Sequence, residues 1–372
     1  MKDERWKKMK YESGLFGVFG LKRFRTAPHF SSFIFLLSFF IFHLSFTTAW
    51  AQQRFHKEMP AGNYSGICPL GDNRYAVVSD KSADDGFFVF HIAIDSVRQR
   101  ITSLTNEGYR TSGLPNRDME AICYRPSSRT LFIAGERDNE VYEYTLDGQR
   151  TGRRLQMPDY IRKASHNYGI EALCYDSIAH RFFLTTERPL SDDSLLRIQV
   201  FNDDLQPAGG FFYKPDAPIS RKYFHGVSEL CALADGRLLV LERQLRVPRL
   251  KVGAKSVVRV YEVVLENPDI PENPEIPDNP ENPETPDNPE TPEIPDNPDA
   301  PDGHIIAEPS KVLAEKRLLL EFRTRLTLTS RKFANYEGLC QPQPGLLLLV
   351  ADSQNRYKGI LRDWLKVLMI DN

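Results

Sequence analysis

The 372-residue sequence predicts an all-β fold, a β-propeller of five blades, on two observations: a short phrase that recurs along the chain and strand-like runs after each copy. The phrase reads DMEAICYR from Asp118, GIEALCYD from Gly169, GVSELCAL from Gly226 and NYEGLCQP from Asn335, with a looser copy, NYSGICPL, from Asn63. Its cysteines, Cys68, Cys123, Cys174, Cys231 and Cys340, are spaced by 55, 51, 57 and 109 residues, and the last interval contains a 38-residue insert. Repeats near this length that are rich in short strands belong to propeller blades, whereas helical solenoids mostly have shorter periods. No segment carries an amphipathic helical pattern of useful length. A sixth blade fits only if a divergent unit lies between residues 241 and 330.

Each unit has the same order of elements. After GIEALCYD a turn over Ser177 to His180 leads to the apolar run Arg181 to Thr185, then a polar loop, then the alternating Leu196 to Val200. The second unit repeats this with Ala121 to Tyr124, Thr130 to Ala134 and Glu140 to Leu146. The chain ends in Trp364 to Ile370, which reads as the third strand of the last blade. Gln53 to Met59, ahead of the first phrase, is then placed to supply that blade's outer strand and close the ring, leaving few free edges.

Two segments stand apart from the single propeller domain of residues 52 to 372. Residues 1 to 51 read as a signal peptide: Lys22, Arg23 and Arg25 precede the apolar run Phe30 to Phe46, which ends in a small-x-small site at Ala49 to Ala51. An exported product, periplasmic or secreted, follows, with no membrane span after cleavage. The alternative is an uncleaved anchor, since about 17 apolar residues lie at the lower limit for a span. The long segment before the apolar run also allows a start at Met9 or later. Residues 266 to 303 form the insert, with 13 acidic residues, one every third position, and proline at the same period. Polyproline II has three residues per turn, so the insert should be an extended, self-repelling arm from a loop of the fourth blade. A solvated spacer is its simplest role, and its partner is open. Setting both segments aside leaves 40 basic and 34 acidic residues in a mildly basic body.

The five cysteines are odd in number and occupy one repeated position, which the blade geometry holds apart. Disulfides are therefore not expected, and each should pack as a small apolar residue.

The candidate site follows from charges that recur with the phrase. Glutamate stands inside three copies, at Glu120, Glu171 and Glu337, and one residue later in the fourth, at Glu229. A second acid ends the following strand in every unit: Asp80, Glu136, Glu187, Glu242 and Asp352, three of them followed by arginine (Arg137, Arg188, Arg243). A first strand begins where its antiparallel neighbour ends, so both sets lie on one face of the disc. Loops entering that face bring Arg162, Lys163, Arg221, Lys222, Arg331 and Lys332, with Arg117, His166 and His225. Oxygen ligands around basic groups suit a calcium ion together with a small anionic ligand such as a phosphate ester. The metal candidates are Glu120, Glu171, Glu187, Glu242, Glu337 and Asp352. Glu171, Glu187 and Glu242 are the candidates for catalysis, and Arg162, Lys163, Arg221, Lys222, Arg331 and Lys332 for substrate binding. Against this stands a structural role, with the acids and the Glu-Arg pairs tying neighbouring blades. No nucleophile elbow, zinc-protease motif, C-x-x-C or phosphate-binding glycine loop occurs, and Ser228 near His225 has no sequence support as a nucleophile. No nucleic-acid partner is expected.

The segments NYGIEAL at Asn167 to Leu173, TERPL at Thr186 to Leu190, SELCALADGRLLVLER from Ser228 to Arg243, NYEGL from Asn335 and LLVADSQN at Leu348 to Asn355 resemble the phytase-like domain described as "esterase-like activity of phytase". The resemblance spans about residues 60 to 370, the insert excepted. It implies a secreted or periplasmic propeller with phosphoesterase activity. Calcium-dependent propeller phytases hold metals through clustered acids and bind phosphate through lysine and arginine. Departures are the one-residue shift at Glu229, alanine for glycine in EAI and EAL, and Ser353-Gln354 after the acid. Two functions follow: a metal-assisted phosphoesterase, or a non-catalytic ligand- or protein-binding propeller whose acids tie the blades.

Overall fold

The computed structural model describes residues 52–162, 164, 169–190, 193–264, 312–354 and 359–371. The signal segment, Lys163, His166 and the acidic arm lie outside the described residues. Four of the five sheets run outward from the axis strand by strand. They are β1 (Tyr64–Gly71), β2 (Arg74–Ser79), β3 (Asp84–Asp95) and β4 (Arg100–Pro115); β5 (Met119–Arg125), β6 (Thr130–Gly135), β7 (Glu140–Tyr144) and β8 (Arg150–Arg154); β9 (Ile170–Asp176), β10 (Arg181–Thr186), β11 (Leu196–Asn202) and β12 (Pro207–Tyr213); and β13 (Phe224–Ala232), β14 (Leu238–Arg246), β15 (Lys255–Val264), β16 (Glu315–Leu326) and β17 (Arg331–Lys332). The fifth has three strands, β18 (Asn335–Gln343), β19 (Leu346–Asp352) and β20 (Leu365–Met369). Five blades are present, and the described strands between residues 241 and 330 belong to the fourth.

The inner strands β1, β5, β9, β13 and β18 contact one another in ring order around the axis. Sequence sets their hairpins: the β1–β2 turn places Asp72 and Asn73 at φ 52° and 57°, the left-handed pair that two-residue hairpins require. Between neighbouring blades lie five apolar clusters, and each holds one of the five cysteines, all buried and free. A ring that must fill five equivalent wedges therefore repeats one small apolar residue, which accounts for the cysteine in the phrase.

Closure is narrower than a full strand. Gln53 alone bridges Leu365, exchanging backbone hydrogen bonds of 2.8 and 2.9 Å. Its side-chain amide donates to Ile101 O at 2.8 Å and accepts from Ile101 N at 2.7 Å, so one residue joins the fifth blade to the first. Where the chain resumes after the arm, Val312 O and Ala314 N pair with Phe212 on the outer edge of the third blade.

Candidate functional site

The phrase builds a β-bulge. In β5 the pairing steps from Met119 to Ala121, in β9 from Ile170 to Ala172, in β13 from Val227 to Glu229 and in β18 from Tyr336 to Gly338. The skipped residues are Glu120, Glu171, Ser228 and Glu337. An extra, unpaired residue is turned out of the pleat, and here that re-aims the acid toward the axis. The glycine that opens two copies makes room for an acid of the preceding blade. A Cβ on Gly169 would meet Glu136 Cγ at 2.9 Å, and one on Gly226 would meet Glu187 Cγ at 2.5 Å.

The second set of acids falls into register when counted from the residue opposite each cysteine, namely Ala76, Phe132, Phe183, Leu239 and Leu348. Four places on stand Asp80, Glu136, Glu187, Arg243 and Asp352. The repeated position in the fourth blade thus belongs to Arg243, and Glu242 lies one step earlier, on the opposite side of its strand. Glu242 points between blades, accepting hydrogen bonds from Tyr213 Oη at 2.6 Å, Asp216 N at 2.9 Å and Lys316 Nζ at 2.7 Å. That corrects its placement in the predicted site: the Glu-Arg dipeptide of this blade is one residue out of step with Glu136-Arg137 and Glu187-Arg188.

These side chains line a cavity of about 270 Å³ at one end of the axis. Its wall carries Asp80, Glu120, Glu136, Glu171, Glu187, Glu337 and Asp352 against Lys81 and Arg243, with Phe224 at the rim. Arg243, 4% exposed, sits among three of the acids, its Nη2 at 3.2 Å from Glu171, 3.3 Å from Glu187 and 2.8 Å from Glu337. Burial opposes its charge, but Glu337, Glu187 and Glu171 outweigh that and hold the guanidinium protonated. Its Nε and Nη1 have no hydrogen-bond partner. On the other side Lys81 Nζ lies 2.6 Å from Asp118 and 3.0 Å from Asp80.

Crowding shows in the carboxyl groups. Burial raises Asp80 to about 6, partly opposed by Lys81, and raises Glu187 to about 6 against the pull of Arg243. Burial and then Glu171, Asp80, Glu337 and Glu136 push Glu120 well above the usual range, and burial, Glu187 and Glu337 do the same for Glu171 despite Arg243. Asp352 is raised by burial and Glu337. Asp80, Asp118 and Glu120 can each offer one oxygen within 4.8 Å of the others, the single grouping of three metal-capable side chains among the described residues.

Of the predicted site residues, Glu120, Glu171, Glu187, Glu337 and Asp352 line the cavity and Glu242 does not. Among the described residues, the basic side chains expected to hold an anion are not brought to it. Arg162 pairs with Glu140 at 3.2 Å, while Arg221, Lys222, Arg331 and Lys332 are exposed beyond the wall. His225 is half-buried, and burial followed by Arg188 lowers its pKa. Asp80 and Glu136 were visible as repeated acids but not placed in the site. Counting from the cysteine's cross-strand partner, rather than aligning Glu-Arg pairs, would have found them and Arg243 together.

A family model described as "Phytase-like: Esterase-like activity of phytase" matches residues 59–353, more than half of the chain. Among solved structures the chain is similar to a streptogramin B lyase (12% identity, 86% of this chain and 99% of that one, TM-score 0.38). It is also similar to a luciferin-regenerating enzyme (8% identity, 84% and 94%, TM-score 0.39) and to the β-propeller domain of Cps50 (Swd1) from Myceliophteria thermophila (10% identity, 86% and 100%, TM-score 0.35). No curated protein matches. Among the described residues no helix is long and apolar enough to cross a membrane.

Proposed function

The chain belongs to the phytase-like family, and from that premise we propose that it is an exported, cation-dependent phosphoesterase acting on a phosphate ester at the acid-lined mouth. The observation that carries this reading is the charge imbalance of the cavity, seven carboxylates against Lys81 and Arg243. Burying several carboxylates together is costly unless a cation repays it. The donor set fits calcium, which takes oxygen ligands: Asp80, Asp118 and Glu120 would hold it, and Asp80 Oδ1 is a buried atom with no hydrogen-bond partner. When bound there, the ion supplies the positive charge that polarises a phosphoryl oxygen and acidifies a water.

The chain's own side chains do the rest. Arg243 is anchored through Nη2 and keeps Nε and Nη1 for an ester oxygen. Lys81 screens Asp80 from Asp118. Glu187, which lines the same wall and is raised to about 6 by burial, would take or return a proton at its carboxylate. Phosphate release from phytate and from simple phosphomonoesters, with calcium and with chelator, tests the reading. Release only with calcium is expected, and no release from either substrate by folded protein would overturn it.

A second reading has its own support. Arg243 on the fourth blade pairs with Glu171 and Glu187 of the third and Glu337 of the fifth, so these acids also tie blades. A binding propeller without catalysis is then expected to hold calcium at Asp80, Asp118 and Glu120 and release no phosphate.

A further inference from the structure

The other end of the axis holds a second cavity, of about 210 Å³, which shares no lining residue with the acid-lined mouth. All five cysteines face it, with Tyr124 and Tyr175, and burial pushes every one of the thiols up, so the wall is neutral and soft. Glu229 is the one carboxyl side chain in that wall, and among the described residues no lysine, arginine or histidine lines it. It arrives there because Ser228 is the bulged residue of β13, which turns the next side chain away from the acid face.

Glu229 is 1% exposed. Its Oε1 accepts from Leu230 N at 3.1 Å and Leu173 N at 3.4 Å, amides on the inner edges of two adjoining blades. Burial pushes the carboxyl well above the usual range against the amides of Leu230, Leu173 and Leu339, and Oε2 makes no hydrogen bond. A buried carboxyl oxygen left unmatched is costly, so a ligand that repays the cost must bring N–H or O–H donors. A hard metal ion would need several oxygen ligands, and this wall has one carboxylate. Among the described residues no grouping of three metal-capable side chains includes Glu229 or a cysteine. An ammonium group needs one carboxylate oxygen, and an apolar stem gains dispersion against sulfur and aromatic rings. At about 30 Å³ per water-sized unit, the space admits only a few heavy atoms.

We infer that this cavity is a binding site for a small organic ammonium ion, its N–H groups on Glu229 Oε2 and its stem against the thiols, Tyr124 and Tyr175. Calorimetric titration of the full chain with n-butylammonium, and with n-butanol as neutral match, tests it. Wild-type protein should bind n-butylammonium, and Glu229→Gln, which keeps the Oε1 acceptor, should weaken binding about tenfold or more. Butanol, which brings one O–H donor and no charge, should bind more weakly and lose less on Glu229→Gln than n-butylammonium does. Glu120→Gln should leave amine binding intact, which separates this cavity from the acidic mouth. Absence of amine binding, equal binding by Glu229→Gln, or loss in Glu120→Gln would overturn the inference. A second readout uses wild-type protein alone: n-butylammonium should slow modification of the thiols by methyl methanethiosulfonate, and an unchanged rate counts against the site.

Discussion

The third and fourth blades set the same strand positions around the axis and fill them oppositely. The third places Glu171 and Glu187 there, and the fourth places Ser228 and Arg243. Four blades carrying one sign of charge would repel one another. A single blade that breaks the repeat turns that repulsion into a bonded centre, with Arg243 against Glu171, Glu187 and Glu337. The opposite side of the mouth, at Asp80, Asp118 and Glu120, receives Lys81 and, at 3.5 Å from Asp118, the exposed Arg137, so its acids are met from the rim and not by a buried cation.

The largest effect should come from removing the odd residue. Arg243→Met keeps an apolar stem but strands three buried carboxylates, which should cost about 3–5 kcal/mol and lower the melting temperature on the order of 10 °C. A melting curve that barely moves would mean the ring does not depend on the break. A paired substitution sharpens the contrast between the two glutamates of similar sequence setting. Glu242→Gln weakens the acceptor of Tyr213, the Asp216 amide and Lys316, at about 1–3 kcal/mol, and should leave calcium affinity unchanged by calorimetry. Glu120→Gln removes repulsion with Glu171 and Asp80, so stability should hold or rise while calcium affinity falls about tenfold.

The smallest effect is in pH. Asp80 and Glu187 are raised from 3.8 and 4.5 to about 6. A carboxyl with a raised folded pKa contributes stability that is complete below its unfolded value and is lost as pH rises through the folded one. In chelator the protein should therefore melt lower at pH 7.5 than at pH 5, both on the order of the usual assay range. Calcium should narrow that gap at the higher pH, and a gap insensitive to calcium would place the metal elsewhere.

The fold was legible because one phrase does several jobs at once. Its cysteine fills each inter-blade wedge, its bulge aims the acid, and its opening glycine admits the neighbouring acid, so the physical demands of the ring recur in the letters. Five of the six predicted metal candidates line the cavity for the same reason. Glu242 was misplaced because the conspicuous Glu-Arg pair, and not the less visible cross-strand partner of Cys231, set the alignment. The basic loop residues carry no such repeat. Arg221 and Lys222 lie in a loop, whose path the spacing of strands does not encode, while Arg331 and Lys332 form the short outer strand β17, and all four turn to solvent.

Gln53 gives the ring a buckle. Its backbone holds the last blade and its side chain holds the first, so the circle cannot fasten until nearly the whole chain has been made and its two ends have met. Everything between can be assembled as an open belt, blade upon blade. Trimming the chain past residue 53 should leave the wedges filled and the Asn63–Asp352 bridge as the remaining clasp, with the free edge of β20 exposed to whatever strand arrives next.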